Sequence, residues 1–475
     1  MVDIKTQKEF NLDEEVKPIV LANNMDNDIV KKINEILGGA LERVITKPFI
    51  TLYTLGKLQA EKVYVVNYKK LSCKCKRKEI YNAIADIEED ALVLVDTFED
   101  ENYLKTMQDL SEIIFTKNYE FNAFKTKKEE KVKDFYFYGE TEIYDVVKKG
   151  YVYGESINMA RDLVNTPYNY LNATDLANFA KDLERHEGVS VQIIDKKEIE
   201  EMNMGAFLGV NNGSRDEPKL IYVKYQGLEK WENPTALVGK GVMYDTGGYS
   251  LKTPASMPGM KVDMAGSAAV ICAINAIATL KAKANVMAIV AATDNRIGDG
   301  ATVPDDILTA ASGKTIEIIS TDAEGRLTLA DAVWFAQKEG AKRVIDTATL
   351  TGAMVAALGN AYTGAFTNDH LFLEEFTKAT KLTNEPIWHM PIADSYRKEL
   401  KSKVADIKNK GTRLAGASTA AAFIEEFIEK ETKWIHLDIA GPAFVTKRFN
   451  YRGVGGTGVG VRLLFDFAKR QIAKA

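Results

Sequence analysis

From about residue 170 onward the chain alternates apolar strand-like runs with segments of helical period, and this alternation limits its possible folds more than any other feature. Helical spacing is read over 175–183, 264–280, 326–337 and 415–429. Strands are read over 189–194, 220–225, 236–238, 286–292, 344–347 and 435–439. Elements ordered in this way pack as a sheet with helices on both faces. Ligands in such folds bind beyond the carboxyl ends of the strands, where the polar blocks described below fall.

Upstream, residues 140–165 read as one long helix, with Ile143, Val146, Val147, Val152, Ile157, Ala160 and Leu163 at helical spacing. It stops at Asn165-Thr166-Pro167, where proline ends a helix. Residues 1 to about 145 mix strand-like runs (63–66 and 91–95) with charged helical stretches and carry no catalytic constellation. A chain of 475 residues exceeds one ordinary core. The expected division is an N-terminal α/β domain over 1–148, a linker helix over 149–168 and a larger α/β/α catalytic domain over 169–475 built on a central mixed sheet.

A formal charge of -5 spread over this length gives no general affinity for nucleic acid. The most basic stretch, 125–133, is interrupted by Glu129 and Glu130 and reads as a solvated face. Three cysteines, Cys73, Cys75 and Cys272, make no disulfide framework and point to a reducing compartment. Cys73 and Cys75 lack the second pair a metal site needs. The opening MVDIKTQKEF has no apolar leader, so no signal peptide is expected. The most apolar run, 264–282, contains Gly, Ser and Asn and reads as a buried helix, not a membrane span.

Two blocks carry the chemistry. One runs Val238-Gly-Lys240-Gly-Val-Met-Tyr-Asp245-Thr-Gly-Gly248-Tyr-Ser-Leu-Lys252 and continues to Lys261-Val-Asp263-Met-Ala-Gly266. The other is Ser320-Thr-Asp322-Ala-Glu324-Gly-Arg326-Leu327. Singly, each piece has an ordinary structural reading: Gly247-Gly248 as a turn, Thr321 with Glu324 as a capping box, Asp263 as a helix N-cap, Lys240 as a surface lysine. Together they bring four carboxylates to one side of a sheet, where they repel unless cations lie among them. Two dications balance four carboxylates; one does not. None of the four histidines falls in either block. The donors are hard oxygens, suited to Mg, Mn or Zn. Lys240 can join them only as a neutral amine, and deprotonating it near pH 7 costs roughly 4 to 5 kcal/mol, which a metal bond can offset. Lys252 can stay charged and face a developing oxyanion.

These blocks resemble those of the leucine aminopeptidase (cytosol aminopeptidase) family, two-metal exopeptidases. The resemblance extends from Asn158 to the C-terminus and includes the Asn165-Thr-Pro167 turn, Thr349-Leu-Thr-Gly352, Ala415-Gly-Ala-Ser-Thr-Ala-Ala-Ala-Phe423 and His436-Leu-Asp-Ile-Ala-Gly441. The first domain matches only in size and α/β character; there the resemblance implies a macro-like domain serving assembly or regulation. The resemblance further implies that Asp245 and Glu324 bridge two metals, that Asp322 completes the more exchangeable site, and that Lys240 and Asp263 complete the tighter one. A metal-bridging water is then the nucleophile. Lys252 polarises the scissile carbonyl. Arg326 holds a bicarbonate general base, helped by backbone groups near Leu350 and Gly352. Met260, Thr349, Gly352, Ala440 and Ala443, with Leu350, would receive a Leu- or Met-like first side chain. Zn or Mn, with Mg or Co as alternatives, a homohexamer of two stacked trimers and a cytoplasmic location are implied in the same way. The sequence departs from the pattern at Met243-Tyr244, Thr246, Ala265, Ser320, Asp294-Asn295-Arg296 and Pro304-Asp-Asp306, none of them an expected ligand. Competing readings are another two-metal hydrolase, such as a phosphoesterase, which would want more cations than Lys252 and Arg326, and a non-enzymatic scaffold or DNA-binding protein, which the acidic charge does not favour.

Overall fold

The structure, a computed structural model, describes residues 7–470 apart from 8, 44–46, 48, 68–76, 78–79, 82–83, 85–86, 99–102, 128–133, 140–142, 448 and 450–452. Cys73, Cys75 and the end of the basic stretch lie outside the described residues. The chain divides into two compact units after Asn158, within the long helix, which runs Tyr144–Asn165 and stops where proline was expected to stop it.

The first unit holds a five-stranded sheet of β1 (Ile19–Ala22), β2 (Phe49–Tyr53), β3 (Lys62–Val66), β4 (Ala91–Leu94) and β5 (Phe135–Tyr138), in the order β2-β3-β1-β4-β5. Only β2 is antiparallel to its neighbour. Both faces are covered. Val20 and Ala22 join an apolar cluster with Met107, Leu110 and Ile113, while Ile19 and Leu21 join another with Val30 and Ile33. A strand buried on both faces reads as a continuous apolar run, and Ile19–Ala22 does.

The second unit is built on β6 (Val189–Ile194), β7 (Lys219–Gln226), β8 (Thr235–Asp245) and β9 (Asn285–Asn295). The short β10 (Ile307–Thr309) and β11 (Thr315–Glu317) follow, then β12 (Arg343–Ala348), β13 (Thr363–Thr367), β14 (Ile387–His389), β15 (Ile407–Lys408) and β16 (Lys433–Asp438). Eight of these form a mixed sheet, β14-β13-β16-β12-β8-β9-β7-β6, and β10, β11 and β15 form a small separate one. The centre, β16-β12-β8-β9, is parallel, so its carboxyl ends open on one side. On one face Ala236 and Val238 pack with Phe207, Leu329, Val333 and Phe423. On the other lies the helix Ala265–Thr279, whose residues 265–278 are all buried. The run Met260–Thr279 is long and apolar enough to cross a membrane, yet 89% of its most apolar window is buried inside the protein.

The largest departure from the sequence reading is β8, which continues through Gly239-Lys240-Gly241 to Asp245 for 11 residues. Glycine weakens an isolated strand, but parallel neighbours on both sides hold this one. Gly239 is required by space, because a Cβ there would lie 2.6 Å from Ser267 Cα in the helix behind. A register shift between Val242 and Asp245 bends the end of the strand. The helix read over 415–429 is shorter, Gly416–Glu425. The helix Gly205–Asn211, the strand β13 and the edge strand β14 have no periodic signal to announce them.

Candidate metal centre

Strand β8 carries Lys240 at mid-length, with the opposite parity from Gly239, so its side chain leaves the sheet face away from the helix Ala265–Thr279. There it meets Gly325, the first residue of the helix Gly325–Lys338. A Cβ on Gly325 would come within 2.2 Å of Lys240 Cε, so the lysine reaches its partners only past a glycine. Lys240 Nζ lies 2.6 Å from Asp263 Oδ2 and 2.9 Å from Glu324 Oε1. It also donates to the Thr349 carbonyl at 3.1 Å. Lys240 is 2% exposed. Burial pulls its pKa down, but Asp263, Glu324 and Asp245 outweigh burial and hold it above the ordinary lysine range. Burial pushes Asp263 well above the usual carboxylate range. Glu324 feels the same burial, yet the charges of Lys240 and Lys252 draw it down to about 2. A metal taking the Lys240 lone pair must therefore displace a firmly held proton.

A second ion-paired group adjoins the first. Lys252 Nζ sits 2.6 Å from Asp245 Oδ2 and 2.5 Å from Asp322 Oδ1. Asp245 Oδ1 accepts from the Gly247 amide at 2.9 Å and from Asn295 Nδ2 at 2.8 Å. Asn295 is the register partner of Asp245 at the end of β9, and its Nδ2 also donates to the Thr321 carbonyl at 3.0 Å. Burial and the Glu324 charge raise Asp245 to about 6 against the pull of both lysines. Gly247 adopts φ 87°, left-handed backbone that favours glycine, and a Cβ there would meet Asp322 Oδ1 at 2.9 Å. Thr321 Oγ1 donates to the Gly247 carbonyl at 2.6 Å and accepts from Ser250 N at 2.8 Å. That hydroxyl joins the two sequence blocks. The structural readings of these residues accordingly give way. The helix Gly325–Lys338 starts from Glu324 without a side-chain cap, and the helix Ala265–Thr279 starts from Met264 without one. Neither Thr321 nor Asp263 is an N-cap.

Oxygens of Asp245, Asp322 and Glu324 lie within 4.8 Å of one another, and Asp263 reaches the same cluster through Lys240. The two ammonium groups offset half of the four carboxylate charges, leaving a net deficit of positive charge where Asp245, Asp263 and Glu324 are buried and Asp322 is exposed. Such a donor set, hard oxygens plus an amine, fits divalent cations.

The cluster lines a cavity of about 880 Å³ with Lys240, Asp245, Lys252, Asp263, Asp322, Glu324 and Arg326 in its wall. Met260, Thr349, Leu350, Gly352 and Ala440, expected at the first side chain of a substrate, line it as well. Ala443 is 1% exposed and lies outside that lining. Arg326 is buried, and its Nη1 donates to the Asn409 carbonyl at 2.9 Å. Burial lowers it to about 10. The Leu350 amide donates to Asp438 Oδ1 at 3.2 Å and is thereby already taken. Asn295 and Thr321, which hold Asp245 and the Gly247 turn, are not among the site residues expected from sequence. The signal for Asn295 is the pairing of two strands that the sequence reading ends too early, and Thr321 stands in the second block but reads there as half of a capping box.

Comparison with known proteins finds the following similarities. The family profile described as "Cytosol aminopeptidase family, catalytic domain" matches residues 158–465. The "Probable cytosol aminopeptidase" of Bacillus subtilis (strain 168) is 42% identical over 414 residues, covering 85% of this chain and 83% of the relative. Among solved structures, a point mutant of tomato leucine aminopeptidase superposes with a TM-score of 0.86 at 28% identity, over 99% of this chain and 97% of the other.

Proposed function

The chain belongs to the cytosol aminopeptidase family and is a metal-dependent aminopeptidase acting on peptides; from that premise we propose which of its residues do the work. The observation that carries the proposal is the convergence of Lys240, Asp245, Asp263, Asp322 and Glu324 on one wall of a cavity large enough for a peptide end.

Lys240 and Asp263 would hold one divalent ion, Asp322 would complete the site of a second, and Asp245 and Glu324 would contribute to both. When bound, the two ions supply Lewis acidity, which lowers the pKa of a water so that it attacks at neutral pH. Asn295 and the Gly247 amide fix Asp245 Oδ1, so that carboxylate keeps one orientation. Lys252, in the cavity wall beside the carboxylates, would set its ammonium against the scissile carbonyl and stabilise the oxyanion. Arg326, buried with its Nε lacking a hydrogen-bond partner among the described residues, holds a bicarbonate general base. Met260, Thr349, Gly352 and Ala440 form an apolar wall for a Leu- or Met-like first residue. Zn or Mn is the resident metal, the assembly is a hexamer, and the first unit serves that assembly. The protein works in the cytoplasm.

The test incubates purified protein with Mn or Zn and leucyl-p-nitroanilide, beside the N-acetylated analogue, with and without chelator. Cleavage of the free-amine substrate only, lost on chelation, is expected. Equal cleavage of both would reject an exopeptidase.

A further inference from the structure

Asp438 closes strand β16 and has no exposed surface. Its Oδ1 accepts from the Leu350 amide at 3.2 Å and from the Ala440 amide at 3.1 Å, and its Oδ2 accepts from Thr351 Oγ1 at 2.7 Å. Thr351 Oγ1 in turn accepts from Met354 N at 3.0 Å, capping the helix Gly352–Leu358. One carboxylate thus ties together two separate segments that line the cavity: the connection leaving β12 and the chain leaving β16.

The connection leaving β12 begins with Thr349. Its carbonyl accepts from Lys240 Nζ at 3.1 Å and its hydroxyl donates to Asp263 Oδ1 at 2.9 Å. A cap alone would not need a carboxylate. A serine or asparagine could satisfy one amide without the cost of burying a charge. Three donors from two segments call for an acceptor with lone pairs on two oxygens, which a carboxylate supplies.

Resting on the reading of the site given above, we propose that Asp438 is a positioning residue for the peptidase reaction. It clamps residues 349–351 against Ala440 and so keeps the Thr349 carbonyl and hydroxyl in register with Lys240 and Asp263. Partners one layer behind a metal site commonly change activity or metal affinity by about 10- to 100-fold when removed.

The experiment compares full-length, Mn-loaded wild type with Asp438→Asn, Thr351→Val, Thr351→Ser and the Asp438→Asn/Thr351→Val double variant. Asp438→Asn and Thr351→Val are expected to lose about tenfold or more in kcat with KM within about threefold, and to release bound Mn to a chelator faster. Thr351→Ser, which keeps the hydroxyl, recovers most of the loss. The double variant is no worse than the poorer single one, because both changes break one clamp. Should Asp438→Asn not fold, the pair Thr351→Val and Thr351→Ser decides. A Thr351→Val kcat within about twofold of wild type, a Thr351→Ser variant as impaired as Thr351→Val, or losses that multiply in the double variant would overturn the clamp. A wild type without activity on the free-amine substrate would instead sink the reading of the site, and the clamp with it.

Discussion

Lys240 Nζ and Asp263 Oδ2 form a 2.6 Å ion pair with side chains only 3% and 7% exposed. A proton shared in such a place is a competitor for any metal that uses the same nitrogen. Lys240 is held above the ordinary lysine range, with burial opposing and three carboxylates prevailing, so the amine is protonated throughout neutral pH. Loading must expel that proton. Metal affinity is therefore predicted to rise with pH between about 6 and 9, and unbuffered titration with Mn should acidify the solution. Loading without proton release would remove Lys240 from the ligand set.

Lys252 pairs with Asp245 and Asp322 but is not itself required as a ligand. Lys252→Ala should keep its metal content and lose about 100- to 1,000-fold in kcat, the range seen when one oxyanion donor is removed. Metal analysis beside steady-state kinetics checks this. Turnover near wild type would take Lys252 out of the mechanism.

Gly325 leaves space for a side chain from another element. Its Cβ would lie 2.2 Å from Lys240 Cε and 2.6 Å from Nζ. Since the obstacle is the far end of a flexible chain, Gly325→Ala should fold, displace Lys240 and lose about 100-fold in activity, as a misplaced group does. Circular dichroism and kinetics together test it. A fully active Gly325→Ala protein would mean that Lys240 can do its work from elsewhere.

His436 Nδ1 lies 2.5 Å from Asp346 Oδ1, and neither side chain is exposed. Burial lowers the imidazole, but Asp346 outweighs it and the net direction is upward. A base raised in the folded state contributes stability that is fully present below its unfolded pKa of 6.5 and is lost as pH rises through the folded value. The thermal midpoint should thus fall on going upward from about pH 6.5, and His436→Gln should flatten that slope. A wild-type midpoint that rises over this range would contradict the assignment.

The cluster of acids and lysines was legible because its members are chemically unusual together: four acids and two lysines in two glycine-punctuated blocks, with no histidine. The alternation of strands and helices was legible because a parallel sheet buried on both faces needs apolar runs such as Val286–Ala292. What could not be read was whatever depends on pairing or turn geometry. The sequence reading ends strand β8 at Val238, since Gly239 and Gly241 weaken a strand that its neighbours in fact hold. Asn295 meets Asp245 only through that longer register. Asp438 reads from sequence only as part of the strand 435–439, and two of its three partners, Thr351 and Leu350, lie 87 and 88 residues away in sequence. Thr321, whose spacing to Glu324 matches a capping box, spends its hydroxyl on the Gly247 turn.

Metal stoichiometry tests the central claim most directly. Demetallated protein is reloaded with Mn, desalted, and its metal per chain measured by mass spectrometry for wild type and Lys240→Met. Two bound ions per chain in the wild type and one in the variant, with activity restored to the wild type alone, are predicted. A wild type that retains no metal, or that works undiminished after complete demetallation, would contradict the account.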